Sequence, residues 1–503
     1  MVTGKTFCLA MIASLAMTSA SRGADWPTMR GPDGSGSADS GRGLLVNPKN
    51  VKLLWKSEEQ EIPGGWSSMA VGVSGGYCGP VVGEGAVVVV VYLPSGKVFD
   101  EGLVKKAVEK QKEGGKPQAW WEQRYSINAD DVVLCIDAGT GKTRWKRRFE
   151  GKGLNHSKYP AGPLLTPSIS GGRVYALGSA ARVYCLDIKD GKVLWETSDW
   201  PGGKRFESDR KTALAKRKMT KYHQNSYKLC SGPIVAGGVV AVNDYCGEMA
   251  KKHTENYGLA GLDAATGKFL WQVTDCMGGV TSPVPWSHQG KQYFIAAAPT
   301  RLTCIEAATG TVAWDYRGHV NTLGTPAVSG DMLVCGGTGS GFTLITRFKG
   351  PQKQGVMGFR MDAKGVKKLW GREAKEHAQW TSPVIYKGHA YTFAGKKLLC
   401  IDLESGEVRG TIKFRYSGFY TSPVAADGRL IFRTGLYNAD PKAFRALGAL
   451  QTGRTRIPFE AWTTPAIANG RLYVRAPTEG TSRYRQKTPK PGSIYCYDLR
   501  KAE

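Results

Sequence analysis

One phrase recurs along this chain at a spacing that few folds accommodate. Asp137-Ala-Gly-Thr-Gly-Lys-Thr-Arg-Trp145 returns as Asp187-Ile-Lys-Asp-Gly-Lys-Val-Leu-Trp195, Asp263-Ala-Ala-Thr-Gly-Lys-Phe-Leu-Trp271 and Glu306-Ala-Ala-Thr-Gly-Thr-Val-Ala-Trp314. Weaker copies run from Met361 to Trp370 and over Asp402-Leu-Glu-Ser-Gly-Glu407. Each reads as a strand, a tight turn in which Gly takes a positive φ, and a strand ending on a large aromatic. A second phrase alternates with the first: a small residue, Pro, apolar residues, a Gly turn and a β-rich run. Its eight copies centre on Pro80, Pro167, Pro233, Pro283, Pro326, Pro383, Pro423 and Pro465. Together the two phrases supply about four short strands, the content of one propeller blade, so the prolines imply eight blades.

The chain ends decide between an open and a closed array. The last unit stops at Tyr495-Cys-Tyr-Asp-Leu499, after its third strand, while Val51-Lys-Leu-Leu-Trp55 is an orphan fourth strand near the start. Pairing them closes the ring and hides two sheet edges; an open solenoid would need polar caps. The expected fold is all-β: an eight-bladed β-propeller over residues 51–503, closed by pairing of the N-terminal strand with the C-terminal blade.

Composition agrees. Gly is 65 of 503 residues, and without a Gly-X-Y period that excess means tight turns. No uncharged run reaches the roughly 20 residues a spanning helix needs. The run Phe7–Ser21 follows Lys5 and contains Thr18-Ser19-Ala20, the pattern of an export signal over residues 1–20. Cleavage after Ala20 or Ala24 would leave an N-terminal extension, residues 21–50, and an exported, soluble, periplasmic or extracellular protein. Cys135, Cys185, Cys304, Cys400 and Cys496 share one slot of the repeat, as small buried residues would. No Cys/His cluster has zinc spacing, so no metal site is assigned.

The Asp-x-x-Thr-Gly-Lys-x-x-Trp phrase resembles the repeat of the pyrroloquinoline-quinone (PQQ)-like β-propellers. That family includes quinoprotein dehydrogenases and the outer-membrane assembly factor BamB. The string Asp25-Trp-Pro-Thr-Met-Arg-Gly-Pro-Asp-Gly34 is similar to the opening of exported bacterial members of the family. For an enzymatic member the resemblance implies PQQ with Ca²⁺, an adjacent Cys-Cys disulfide and a catalytic Asp. No two cysteines here are adjacent, and no segment lets the Ca²⁺ ligands or the base be carried over, so catalytic residues are unassigned. Ala138-Gly-Thr-Gly-Lys-Thr143 mimics a phosphate loop but has Ile136 where its first Gly belongs.

A propeller sorts its loops by face. Turns between first and second strands, and between third and fourth, are short here. The long insertions are expected on the opposite face: Pro94–Asp130, Gly151–Tyr159, Asp199–Lys228, Tyr245–Tyr257, Lys349–Gly355, Tyr437–Gln451 and Pro477–Ser493. Long loops on a rigid scaffold are where function resides. Within the first, the spacing predicts a helix over Gly102–Lys112 with Leu103, Val104, Ala107 and Val108 on one face. Between Asp199 and Lys228, the residues Lys204, Arg205, Arg210, Lys211, Lys216, Arg217, Lys218 and Lys221 make a candidate polyanion surface on a chain of net charge +27. Three residues before each proline stand Tyr77, Leu164, Cys230, Val280, Leu323, Trp380, Tyr420 and Trp462. The aromatic arc Tyr77, Trp380, Tyr420 and Trp462, with Trp66 above it, is a candidate ligand platform at the channel mouth, or else the packing of a covering loop.

These readings point to a non-catalytic binding or scaffold propeller of the bacterial envelope that needs no cofactor. Its partner would be an envelope protein or an acidic glycan, with peripheral membrane contact, no specific nucleic acid and a monomeric state. The alternatives are a PQQ-dependent oxidoreductase with Ca²⁺ and a polysaccharide-acting enzyme.

Overall fold

The structure, a computed structural model, describes residues 24–41, 43–45, 47–49, 51–60, 62, 78–98, 101–110, 118, 121–122, 125–155, 165–216, 231–244, 256–278, 281–298, 301–318, 320, 324–336, 354–373, 381–415, 421–459, 463–477 and 492–501. Eight four-stranded antiparallel sheets form the blades. Every inner strand begins one residue after its repeat proline, from Val81 after Pro80 to Ala466 after Pro465. Proline has no N–H to give to a ladder, so it suits the entry of a strand. Blade one comprises Val81–Gly83, Ala86–Val98, Ser126–Asp137 and Thr143–Leu154. Blades two to seven repeat that outward order. Blade eight takes Ala466–Ala468, Arg471–Pro477 and Gly492–Asp498 from the end of the chain and Lys52–Lys56 from its start. Lys52 faces Asp498, Leu53 faces Tyr497 and Trp55 faces Cys496, so the ring closes as expected.

The repeated tryptophans seal the blades to one another. Trp145, Trp195, Trp271, Trp314 and Trp370 donate Nε1–H to carbonyls of the next blade, those of Ile188, Ala264, Ala307, Asp362 and Leu403, at 2.7–3.1 Å. Trp55 donates likewise to Ala138 at 3.1 Å, carrying the same seam across the closure. A turn glycine lies against five of these six indoles: Gly141 on Trp55, Gly191 on Trp145, Gly267 on Trp195, Gly310 on Trp271 and Gly406 on Trp370. At Gly141 and Gly267, φ is +78° and +74°, and a Cβ would stand 2.7 and 2.6 Å from Trp55 and Trp195. Within its own blade each Trp faces a small third-strand residue: Cys135, Cys185, Cys304 and Cys496, or Gly261 and Gly358. The cysteine slot is therefore the floor beneath an indole, and the eight described cysteines are all buried.

Blades six and seven depart from this scheme. Gly410 stands opposite Cys400 where a Trp would be, and Phe444 of blade seven packs over it. Bringing Phe444 there lengthens the connection between the third and fourth strands of blade seven, Gly435–Asn438 and Ala446–Ala449. Ala439 N–H bonds the Gly428 carbonyl at 2.9 Å, beside the first turn of that blade. The connection 439–445 within the Tyr437–Gln451 segment thus lies on the short-turn face, which corrects the expectation that all the long insertions share the other face.

Residues 24–41 and 43–45 lie on the short-turn side of the ring as a strap. The middle residues of five inner strands, Val82, Ile169, Val328, Ile385 and Ala425, donate N–H to the carbonyls of Trp26, Pro27, Gly34, Ser35 and Gly36 at 2.8–3.3 Å. Leu45 N–H reaches the Leu499 carbonyl at 2.8 Å. The strap thereby pairs inner-strand edges that would otherwise line the channel unmet. Among the described residues two α-helices interrupt the strand pattern, α1 (Glu101–Glu109) and α2 (Pro201–Lys216), both in the expected long insertions. In α1 the covered stripe is Val104, Ala107 and Val108; Leu103 is 39% exposed, at the margin of that face. No described helix is long and apolar enough to cross a membrane.

Candidate functional site

The channel wall is set by the two residues before each proline. They are Cys78-Gly79, Leu165-Thr166, Ser231-Gly232, Thr281-Ser282, Gly324-Thr325, Thr381-Ser382, Thr421-Ser422 and Thr463-Thr464, nearly all buried. Adjacent blades approach so closely here that a Cβ on Gly79 or Gly324 would stand 2.6 or 2.5 Å from the carbonyl oxygen of Thr464 or Thr381. Hydroxyls bridge neighbouring blades. Gly79 N–H donates to Thr166 Oγ1 (3.3 Å), Ser282 N–H to Thr325 Oγ1 (3.1 Å) and Ser382 N–H to Ser422 Oγ (2.9 Å). The result is a collar of small, mostly hydroxylic side chains. Cys78, within it, is pushed up to about 11 by burial, an effect that Arg475 opposes.

Into this collar the strap sends Met29 and Arg30. Thr28 Oγ1 donates to the Gly31 carbonyl at 2.6 Å, and Gly31 N–H donates to the Thr28 carbonyl at 3.1 Å. That turn holds residues 29 and 30 at its tip. Ser282 Oγ lies 3.8 Å from Met29 Sδ on blade four, and Arg30 Nη2 donates to the Pro383 carbonyl on blade six. Both contacts lie nearer the long-loop mouth than the strap's own backbone bonds.

On the long-loop face, blades six and seven and the approach to blade eight enclose a cavity of about 380 Å³ lined by Phe414, Phe432, Tyr437, Ile457 and Phe459 together with Arg433 and Arg456. The Phe414 ring meets Phe432 edge-on at 6.1 Å, and the Arg433 guanidinium lies 5.4 Å from the Phe459 ring. Tyr437 is pushed up to about 12 by burial, with Arg433 opposing. Such a cavity suits an aromatic or apolar group carrying negative charge.

α2 is anchored by Trp200 and Phe206, 1% exposed each, and packs against blades one and three. Lys204 pairs with Asp199 at 2.6 Å at the surface. Arg210 pairs with Glu207 at 2.7 Å and donates to the Gly151 carbonyl at 3.1 Å; that contact holds the Glu207 carboxyl below its usual range. Arg210 is thus a bracket between the helix and blade one, whereas Lys211 is exposed. Among carboxylates, Asp131 is fully buried and raised by desolvation, and accepts from Ser179 N–H, Ser179 Oγ and Tyr184 Oη at 2.9, 2.6 and 2.9 Å. It is a strut between blades one and two.

The sequence profile of a family described as outer membrane protein assembly factor BamB matches residues 41–253 and 255–410. The chain belongs to this family. BamB of Escherichia coli (strain K12) is 25% identical over 341 residues, covering 61% of this chain and 79% of that protein. BamB of Yersinia pestis is 23% identical over 362 residues, covering 63% and 81%. Among solved structures, quinohemoprotein alcohol dehydrogenase from Comamonas testosteroni superposes with a TM-score of 0.55 at 14% identity, over 95% of this chain and 81% of that one. A europium-containing methanol dehydrogenase gives 0.56 at 10% identity, over 95% and 98%. Identities this low show the fold alone. The BamB profile stops at residue 410, where the Trp repeat also lapses.

The sequence-derived site of this BamB-family propeller is only partly visible. Tyr77, Trp380, Tyr420, Trp462 and Trp66 lie outside the described residues, as does every residue three before a repeat proline. Lys204, Arg205, Arg210 and Lys211 come together on α2; Lys216 ends that helix, and Arg217, Lys218 and Lys221 lie outside. The sequence reading missed the cavity of Phe414, Phe432 and Phe459, and it missed Arg30. The signal for Arg30 was present in the turn-rich string Thr28–Gly36, which has no strand period yet precedes the repeats.

Proposed function

We propose that this chain is an exported, periplasmic propeller of the bacterial envelope that acts as a docking scaffold in outer-membrane protein assembly. The family match to assembly factors, over two long stretches of the chain, carries this reading. The long-loop face supports it, with the aromatic cavity of blades six to eight and the basic helix α2 as the surfaces that would receive an envelope protein. Tyr77, Trp380, Tyr420, Trp462 and Trp66 belong to the same proposal, and the scaffold needs no cofactor. Depleting the protein from the cell that makes it should lower the amount of folded β-barrel protein in the outer membrane. Unchanged amounts in depleted cells would sink the proposal.

The oxidoreductase alternative shares the fold. Among the described residues no three His, Cys, Asp or Glu side chains converge as a metal site, and the collar offers hydroxyls where a Ca²⁺–quinone site would need carboxylate and amide oxygens. The described residues do not fit that group, and no step is derived through it. Substrate-dependent dye reduction by protein incubated with PQQ and Ca²⁺ would reinstate the enzyme.

A further inference from the structure

We propose that the axial channel binds the oxyanion of a small molecule, a carboxylate or a phosphate group, on Arg30. The site is independent of the assembly role. Arg30 is 3% exposed, and of its guanidinium only Nη2 has a partner, the Pro383 carbonyl; Nε and Nη1 have none. Guanidinium presents five N–H donors in a planar fork, the geometry that matches carboxylate and phosphate. A buried cation with unmet donors is unfavourable in two ways, through its charge and through its hydrogen bonds. Water would satisfy the donors alone, whereas an oxyanion satisfies both.

Among the described residues no side chain supplies that anion. Asp33 is the carboxylate whose field reaches Arg30, but it is exposed, and its Oδ1 accepts from Ser35 N–H (3.0 Å) and Ser35 Oγ (2.6 Å). Burial accordingly lowers the Arg30 guanidinium to about 10, more than Asp33 offsets. A second group stands in the same stretch of wall. Thr381, two residues before Pro383, is 1% exposed and its Oγ1 has no partner. That hydroxyl, on the same strand entry as the carbonyl that Arg30 reaches, is a second donor for an oxyanion.

Access follows from the strap. Its backbone occupies the middle residues of the inner strands, including Ile385, while the guanidinium reaches Pro383, nearer the long-loop mouth. The ligand enters from that mouth, and the strap forms the floor.

The test is calorimetric titration of the full-length chain with sodium acetate and, separately, inorganic phosphate, at fixed ionic strength. Saturable binding of one equivalent is expected, acetate reporting a carboxylate site and phosphate a phosphate site. Arg30→Met should abolish it, and Arg30→Lys should weaken it about tenfold, because an ammonium lacks the fork. Thr381→Val should weaken it several-fold, and Lys189→Gln, on an exposed turn, should leave it intact. Failure of both probes to bind the parent overturns the site, as does unchanged binding in Arg30→Met. Should Arg30→Met fail to fold, parent-like affinity in both Arg30→Lys and Thr381→Val overturns it equally.

Discussion

Replacing Trp55 by Ala tests whether the ring is held shut at the junction of its two ends. Trp55 is 8% exposed, donates to Ala138 at 3.1 Å and lies under Gly141 of blade one. A buried indole covers about 150–250 Å², which at about 25 cal/mol per Å² amounts to about 4–6 kcal/mol. An extended-chain reference overstates such burial by roughly 10–40%, bringing the expected loss to about 3–5 kcal/mol, in line with core Trp→Ala substitutions. Trp55→Phe keeps most of the area and forfeits the hydrogen bond, so it should lose about 1–2 kcal/mol. Trp271→Ala, the same seam between two blades contiguous in sequence, is the control. Denaturant unfolding followed by far-ultraviolet circular dichroism gives all three values, and limited proteolysis should cut Trp55→Ala first at blades eight and one. A loss below about 1 kcal/mol for Trp55→Ala, beside a full loss for Trp271→Ala, would refute closure by this seam.

Gly267 and Gly238 share a positive φ, +74° and +75°, yet only Gly267 faces an indole; Gly238→Ala should cost about 1 kcal/mol and Gly267→Ala about 2–4, and equal melting temperatures would contradict the seam. Burial pushes Cys135 and Cys496 up to about 12 and Cys185 and Cys400 up to about 11. At pH 8 a thiol reagent should therefore leave all four unlabelled in native protein and label them on unfolding, as peptide mapping would show. Asp137 is lowered chiefly by its bond from Arg144, Asp402 by the Ser405 N–H and Asp498 by Arg500. A depressed carboxyl binds fewer protons folded than unfolded, so its contribution is present at neutral pH and fades as pH falls below about 4. Melting temperature should drop across that acid range, and Asp137→Asn should flatten the drop.

The fold was legible because its two phrases carry their own chemistry: a proline cannot sit inside a ladder, and a Thr-Gly turn beneath an indole tolerates no Cβ. Blade count, seam and closure all follow from those local demands. Blade seven misled the loop sorting because blade six has Gly410 in place of its Trp, and Phe444 reaches Gly410 only through a longer connection on the short-turn side. The strap was illegible for a different reason. Thr28–Gly36 is a run of turns and bends, with positive φ at Gly31, Gly34 and Gly36, and its partners, such as Pro383 and Ala425, stand more than 300 residues away. No period in the sequence encodes such a pairing. Likewise Phe414, Phe432 and Phe459 share no spacing; the turn of blade seven and the approach to blade eight bring them together.

The strap also has a consequence for the order in which the molecule can be assembled. A chain made from its N-terminus presents much of its strap and its first strand long before their partners exist. Arg30 waits for Pro383, Ser37 for Ile385, Leu45 for Leu499 and Trp55 for Cys496. Blades one to seven pair strands from contiguous sequence and can form as they emerge, but contacts so remote must first meet the entropy of closing a very long loop. The first segment synthesised is the last one seated. A translation product arrested after blade six would hold Leu45, buried to 7% in the finished ring, and the strand Lys52–Lys56 without a home. Such a fragment would seek those contacts on other chains, and its expected fate is aggregation rather than a smaller propeller.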